Sequence, residues 1–380
     1  MLKNLLKKIL NDIYNLKGWK TDRKLIVIES DDWGSIRMPD LNTYNILFSK
    51  GVRVDKCPFT KYDSLESSED LEKLIEVLLS FKDYKGHNPS LTANCVLANP
   101  DFEKISDSGF LNYHYESITD TFEKYSFSKN PIILWKEGIR QGVFTPQFHG
   151  REHLNVKRWM KALHDNMPET RLAFDLKMYG ISSTITSENR RSYLEAFSMD
   201  EESDIELLAK IIEDGLRLFK LVFDATPLSF IAPNYIWPPD IESVLYRNGI
   251  KYIQGQRIQL SPQVKSPRSK RIAHYTGETN LIGQIYSVRN CLFEPTLFPG
   301  TDNLGNCMRQ IEYAFKRRKP SIIASHRLNF VGSLDEGNRD RNLLLLRKLL
   351  EGITRKWPEV EFVSSDTLGD LMYQDLYSNR

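Results

Sequence analysis

The chain has 380 residues, with 52 lysines and arginines against 50 aspartates and glutamates, 41% hydrophobic residues and 27% charged residues. This composition is typical of a folded globular protein, and it excludes a disordered chain, a collagen-like repeat and a disulfide-stabilised miniprotein. The formal net charge of +2 is too small and too dispersed to indicate a nucleic-acid partner.

The first predicted element is an amphipathic helix over residues 1–20. Its apolar residues recur at helical spacing and face away from a set of lysines. These apolar residues are Leu2, Leu5, Leu6, Ile9, Ile13 and Leu16. Lysine and asparagine interrupt every apolar run, so no signal peptide is predicted, and no run elsewhere approaches the ~20 apolar residues of a membrane span. We expect the helix to pack on the domain, with peripheral membrane contact through residues 1–18 as the alternative. The expected location is cytoplasmic, with association at a membrane surface as the alternative.

Residues 21–380 alternate short apolar runs with amphipathic stretches, which predicts strands each followed by a helix in one domain. The predicted strands are 25–30, 91–97, 143–148, 180–185, 228–232, 251–254, 283–288, 321–325 and 360–363. The clearest predicted helices are 68–81, 155–166, 204–224, 239–248, 303–318 and 339–356. Segments 98–135 and 255–280 are polar and rich in turns, so we interpret them as loop excursions. The pattern predicts an α/β fold with a parallel sheet or barrel.

Polar residues that directly follow predicted strands are the first candidates for a site, because the carboxyl ends of parallel strands converge on one face. The first strand leads into Asp31 and Asp32, two adjacent carboxylates that repel each other unless a cation or a shared proton relieves them. The alternative interpretation is an ordinary solvated turn.

Two histidines, His149 and His153, follow the strand at 143–148. Histidines four residues apart can turn both rings toward one cation, and with a carboxylate they form a three-ligand face that leaves positions for water and substrate. The alternative is a hydrogen-bonded histidine near a helix start. His326 follows the strand at 321–325 and could exchange a proton near neutral pH.

A fourth strand leads into a proline-rich turn that carries Tyr235 and Trp237. Aromatic faces on a stiff backbone suit a sugar ring, although core packing explains the two side chains almost as well. The four cysteines, at 57, 95, 291 and 307, lack metal-site spacing and are expected to be free thiols in a reducing compartment.

In this order along the chain, the Asp-Asp pair, the HxxxH pair, the Pro-aromatic turn and the late histidine make the sequence similar to the polysaccharide deacetylases. These are carbohydrate esterases with a NodB-type homology domain, and the resemblance covers about Leu25 to Leu371. It implies a distorted (β/α)7 barrel of the polysaccharide deacetylase type. It also implies a divalent metal, usually zinc, although cobalt, manganese and iron also accept two imidazoles and a carboxylate.

By the same resemblance, Asp32, His149 and His153 would be the metal ligands, Asp31 the catalytic base and His326 the general acid. Trp33 stands where the family motif has glycine and is expected to line the site, as are Tyr235 and Trp237. A backbone N–H near Tyr235 is the expected oxyanion donor. The implied function is hydrolysis of N-acetyl or O-acetyl groups on a carbohydrate by metal-activated water.

The sequence departs from the family at the arginine that tethers the catalytic base, because Ile231 and Ala232 follow Phe230 in the Pro-aromatic turn. Arg37, Arg151 or Arg327 could replace it from another loop. Two alternative functions follow from these observations. One is a catalytically impaired carbohydrate-binding homologue, and the other is a glycoside hydrolase, since carboxylates at a barrel mouth also cleave glycosidic bonds.

Overall fold

The structure is a computed structural model that describes residues 17–125, 129–264 and 266–377. The predicted N-terminal helix falls mainly on residues 1–16, which lie outside the described residues. Contact of residues 1–18 with a membrane therefore stays a prediction. Within the described ranges, no helix is long and apolar enough to cross a membrane.

The strands alternate with helices along most of the chain, as the hydrophobic pattern predicts. They are β1 (Lys24–Trp33), β2 (Leu91–Val96), β3 (Ala98–Pro100), β4 (Tyr115–Ser117), β5 (Phe144–Gly150), β6 (Ser229–Ile231), β7 (Tyr252–Gly255), β8 (Ile258–Gln263), β9 (Ser266–Ala273), β10 (Ile285–Val288), β11 (Cys291–Leu292), β12 (Ser321–His326) and β13 (Val360–Phe362).

Helices of very different length pack around the sheet and in the excursions. They are α1 (Leu41–Ser49), α2 (Pro58–Tyr62), α3 (Ser68–Leu79), α4 (Phe102–Asp107), α5 (Ile118–Lys124), α6 (Pro131–Arg140), α7 (Val156–His164), α8 (Pro168–Asp175), α9 (Asp204–Phe223), α10 (Asp240–Arg247), α11 (Asn303–Lys316), α12 (Glu336–Lys356) and α13 (Ser365–Tyr377). Short 3-10 turns lie at Val54–Lys56, Pro233–Tyr235 and Arg327–Asn329.

One large sheet forms the centre of the molecule, in the order β10-β7-β6-β5-β2-β1-β12-β11, and β13 pairs with the start of β1. All of its strand pairs are parallel. β10 and β11 are two halves of one extended stretch: the Arg289 N–H donates to Gly255 O of β7, and the Asn290 N–H donates to Ile322 O of β12. The chain changes neighbours at this point, which brings the sheet round into the distorted (β/α)7 barrel expected from the sequence.

The barrel has a polar end and an apolar end. At the amino ends of the strands, buried apolar side chains of β1, β7, β10 and β12 pack against Leu368 and Met372 of α13. Helix α13 therefore covers this end. The carboxyl ends of β1, β5 and β12 carry the candidate site residues.

The strand predicted at 180–185 is wrong, because the structure has a turn there. The Ile185 N–H donates to Ser182 O, and the hydroxyls of Ser182 and Thr184 lie 2.9 Å apart. Serine and threonine that bond locally in this way offer the backbone an alternative to a strand. Ile181, which suggested a buried strand, instead packs in a cluster with Met38 and Leu47.

Candidate functional site

An irregularity in β1 turns the side chains of Asp31 and Asp32 toward the same site. Neighbouring side chains in a regular strand point to opposite faces, so two adjacent carboxylates would normally diverge. The pairing of β1 with β2 shifts register between Ser30 and Trp33, and Asp32 takes a φ of 76°, which residues other than glycine rarely adopt. As a result, both carboxylates are buried among titratable side chains, with 4% of Asp31 and 2% of Asp32 exposed.

A second irregularity places the two histidines. The register between β2 and β5 shifts at His149, and the next residue, Gly150, has a φ of 124°. His153 lies in the short connection to helix α7, whose first turn is capped by the side chain of Asn155. Bulges of this kind redirect side chains at the rims of barrels. Here the bulge at His149 and the connection that follows it direct both imidazoles toward Asp32.

Asp32, His149 and His153 converge tightly enough to hold one ion. Asp32 Oδ1 lies 3.4 Å from His149 Nε2 and 3.2 Å from His153 Nε2, and the ligand atoms all lie within 4.8 Å of one another. Ligands at ~2.0–2.1 Å from a tetrahedral ion would be separated by ~3.3 Å. The two distances to Asp32 match this value.

The hydrogen bonding of His149 leaves a lone pair for an ion. His149 Nδ1 lies 2.9 Å from Ile231 O, and because a carbonyl can only accept, Nδ1 carries the proton. Nε2 then presents a lone pair toward a carboxylate oxygen and is buried without a hydrogen-bond partner. Such an arrangement is unfavourable unless a cation occupies the space, so the residues fit a divalent metal.

Arg37 holds the outer oxygen of Asp32, with Arg37 Nη2 at 3.2 Å from Oδ2. Burial would raise the pKa of Asp32, but Arg37, followed by His153, lowers it well below its usual range. Burial lowers the pKa of His153, and Arg37 lowers it further, to about 3. Asp32 is therefore ionised and His153 neutral near pH 7, as metal ligands must be.

Asp31 is fixed by Arg289, whose Nη1 donates to Oδ2 at 2.7 Å and whose Nη2 donates to Oδ1 at 2.6 Å. Asn94 Nδ2 donates to Oδ1 at 2.8 Å. Burial would raise the pKa of Asp31, but Arg289, followed by His326 and His149, lowers it to about 2. Asp31 is thus an ionised, oriented carboxylate beside the candidate metal ligands.

The expectation that Arg37, Arg151 or Arg327 tethers Asp31 is wrong. Arg37 contacts Asp32, while Arg151 pairs with Glu152 and Asp214, and Arg327 pairs with Asp63 and Glu66. Arg289 tethers Asp31 instead. It lies between β10 and β11, where the chain changes from pairing with β7 to pairing with β12. A sequence signal existed, because Arg289 directly follows the predicted strand at 283–288.

His326 also lies beside Asp31, with its Nε2 3.8 Å from Asp31 Oδ2. Its Nδ1 lies 2.5 Å from Oε1 of Glu294, a buried carboxylate that the sequence interpretation missed. Burial would lower the pKa of His326, but Glu294, and then Asp31 and Asp32, raise it to about 9. The imidazole is therefore protonated near neutral pH in the metal-free protein.

Two of the aromatic residues expected at the site lie in the core instead. Trp33 and Trp237 are each 1% exposed, and their indole N–H groups donate to Ser30 Oγ and Glu242 Oε1. Neither ring has surface left for a sugar, which corrects the expectation. Tyr235 is at the site, because its hydroxyl accepts a hydrogen bond from Arg289 Nη1 at 2.9 Å.

Two of the backbone N–H groups near Tyr235, where the oxyanion donor is expected, bond within the Pro-aromatic turn. The Tyr235 N–H donates to Ala232 O at 3.0 Å, and the Ile236 N–H donates to Pro233 O at 3.2 Å. Both donors are therefore already engaged.

A half-buried aromatic residue that the sequence interpretation missed lies beside His326. The ring of Phe59, in α2, meets the His326 ring edge-on at a centroid distance of 5.3 Å.

The protein is thus a distorted (β/α)7 barrel in which a buried Asp-His-His group lies beside a second aspartate and a histidine. No family model matches the sequence, and no curated protein matches it at a significant level. Solved structures do resemble it. One is a protein from Parabacteroides distasonis described as a glycoside hydrolase/deacetylase, with a TM-score of 0.52 and 7% identity over 95% of this chain and 74% of that chain.

Two further similar structures have somewhat lower TM-scores. A protein from Mycobacterium smegmatis described as a polysaccharide deacetylase has a TM-score of 0.47 and 10% identity, over 95% of this chain and 94% of that chain. Puue allantoinase has a TM-score of 0.48 and 8% identity, over 94% and 93% of the two chains. At these identities the similarity concerns the fold alone.

Proposed function

We propose that the protein is a metal-dependent hydrolase that removes N-acetyl or O-acetyl groups from a carbohydrate. The observation that carries the proposal is the convergence of Asp32, His149 and His153 on one point, with Asp31 and His326 beside them. The distorted barrel supports it, because this fold is shared with a structure described as a glycoside hydrolase/deacetylase.

Asp32, His149 and His153 would hold the divalent ion, and two imidazoles with one carboxylate favour zinc while also accepting cobalt, manganese or iron. When bound, such an ion polarises a substrate carbonyl and makes an attacking water more acidic. Arg37 keeps Asp32 Oδ1 turned toward the histidines by holding Oδ2. The Ile231 carbonyl fixes the ring orientation of His149.

Asp31 would accept the proton of the attacking water. Arg289 keeps this carboxylate ionised and fixes its plane through two parallel hydrogen bonds. His326 would then donate a proton to the departing sugar nitrogen or oxygen, because Glu294 holds it in the protonated form. Tyr235, beside Arg289, and Phe59, beside His326, would be the aromatic residues that contact the substrate.

The test combines elemental analysis of the purified protein with acetate release from a panel of acetylated oligosaccharides. We expect Asp31→Asn to retain the metal while losing turnover by about 1000-fold or more, and His149→Ala to lose both. His164→Ala is the matched control, because the side chain of His164 is 64% exposed on α7, and it should retain both properties. Full turnover by Asp31→Asn would show that the assigned base is wrong.

The same assay separates the alternative functions. A glycoside hydrolase would generate new reducing ends from unacetylated oligosaccharides without releasing acetate. A catalytically impaired homologue would bind metal and oligosaccharide without releasing either product. Both outcomes would overturn the proposed activity.

A further inference from the structure

The barrel interior beneath Asp31 is lined by amide and hydroxyl side chains. They are at most 2% exposed and comprise Thr92, Asn94, Gln147, Ser229 and Gln254. Branched apolar residues usually fill the interior of such barrels, and buried amides are unfavourable unless they are hydrogen-bonded. A polar layer at this depth therefore needs a reason.

Four of these side chains, Asn94, Gln254, Ser229 and Gln147, form a continuous path from the candidate base to the C-terminal helix. The hydrogen bonds run from Asn94 Nδ2 to Asp31 Oδ1 (2.8 Å) and to Gln254 Oε1 (3.0 Å), from Gln254 Nε2 to Ser229 Oγ (2.8 Å), from Ser229 Oγ to Gln147 Oε1 (3.0 Å), and from Gln147 Nε2 to Asp366 Oδ2 (2.6 Å). The ionised Asp31 carboxylate can only accept, so it fixes the orientation of the Asn94 amide, and the Ser229 N–H fixes the orientation of the Gln147 amide by donating to Oε1 at 2.8 Å.

A second path reaches the Asp31 carboxylate from Ser365, the residue before Asp366 in α13. Ser365 Oγ donates to Glu29 Oε1 at 2.7 Å, and the other oxygen, Glu29 Oε2, accepts from Arg289 Nε at 2.6 Å. Arg289 then makes its paired bonds to Asp31. Glu29 therefore fixes the plane of the guanidinium, and Ser365 fixes Glu29.

We propose that the first turn of α13, through Ser365 and Asp366, positions the Asp31 carboxylate from the opposite end of the barrel. The inference rests on the proposed function, in which Asp31 is the base. Gln254 and Ser365 are then positioning residues, one on each path. Loss of either should disturb the orientation of Asp31 without removing any group that touches substrate.

The test uses Gln254→Met and Ser365→Ala in the full chain, with carboxyl-13C aspartate. The Asp31 resonance is identified by its absence from Asp31→Asn. We expect both variants to shift this resonance, to lower kcat roughly five- to tenfold and to change KM by less than about twofold. Ser365→Thr, which keeps the hydroxyl donor, should restore both the resonance and kcat.

Gln284→Met is the matched control, because Gln284 is also a fully buried glutamine and donates to Ile250 O outside both paths. It should leave the Asp31 resonance and kcat unchanged. The inference is overturned if Gln254→Met and Ser365→Ala leave the resonance in place, or if Gln284→Met shifts it equally. A wild-type protein that releases no acetate would overturn the proposed function, and the NMR comparison would still decide whether the two paths orient Asp31.

Discussion

The two ends of the barrel are built from the same strands but differ completely in chemistry. β1 contributes Leu25 and Val27 to the apolar amino end and Asp31 and Asp32 to the carboxyl end. At the amino end every side chain of the apolar cluster has apolar neighbours. At the carboxyl end buried carboxylates, imidazoles and guanidinium groups depend on one another for compensation.

Residues that determine stability and residues that carry the candidate chemistry are therefore separated along each strand. Substitutions in the apolar cluster at the amino end should lower the free energy of unfolding and leave turnover per folded molecule intact. Substitutions at the carboxyl end should remove turnover or metal, because the site is held by directional bonds. The network beneath Asp31 is where the two ends meet.

Among substitutions that leave Asp31, His326 and the candidate metal ligands in place, the largest effect is expected from Arg289→Lys. A lysine keeps the positive charge but cannot reproduce the two parallel bonds to Asp31 together with the bond to Glu29. We expect kcat to fall about 100-fold, as for misplacement of a reacting group by about an ångström, with metal content retained. Elemental analysis and steady-state kinetics would measure both.

Arg339→Lys is the control for this substitution, since Arg339 is 1% exposed and pairs with Asp70 away from the site. It should lower stability without lowering kcat of the folded protein. Equal kcat values for the two variants would contradict the role assigned to Arg289.

At the amino end, Leu368→Ala should lower the free energy of unfolding by about 2–5 kcal/mol, because Leu368 is fully buried in the apolar cluster under α13. Denaturant unfolding would measure this change, and kcat per folded molecule should stay within about twofold. Leu344→Ala on α12, where the residue is 52% exposed, should cost less than about 0.5 kcal/mol. A large loss of kcat in Leu368→Ala would break the separation between the two ends.

Much of the fold and part of the site could be predicted because both depend on short-range patterns. Runs of apolar residues indicated the barrel strands, and the fold class is confirmed. Asp31, Asp32, His149 and His326 lie at or next to predicted strand ends, and the structure brings them together with His153. Convergence of strand ends requires no knowledge of side-chain direction.

What could not be predicted depends on direction and on distant pairing. The bulges at Asp32 and His149 leave no clear signal in the sequence, and they decide which face each side chain takes. Trp33 follows the same bulge and turns into the core, contrary to expectation. Arg289 was missed because its strand changes neighbours there, and Glu294 because its partner His326 lies 32 residues away in the chain.

A smaller effect should separate His326 from ordinary histidines. In metal-free protein, an NMR titration of His326, identified by its absence from His326→Ala, should give a midpoint of about 9. Because this pKa lies above the ordinary value, protonated His326 stabilises the fold fully below about pH 6.5 and loses that contribution as pH rises through 9. Glu294→Gln, and separately a bound divalent cation, should each lower the midpoint. An ordinary midpoint in the metal-free wild type would contradict the pairing with Glu294.

The smallest effect on turnover is expected from Trp237→Phe, which tests whether an aromatic side chain near the site belongs to the core. The substitution removes the N–H donor to Glu242, which keeps its bonds from Tyr286 and Asn280. We expect a loss of stability of about 1–3 kcal/mol and a change in kcat or KM of less than about twofold. Tyr235→Phe is the comparison, since it removes the hydroxyl that bonds Arg289 and should lower kcat severalfold. If Trp237→Phe raised KM strongly while Tyr235→Phe had no effect, the assignment of Trp237 to the core and of Tyr235 to the site would be wrong.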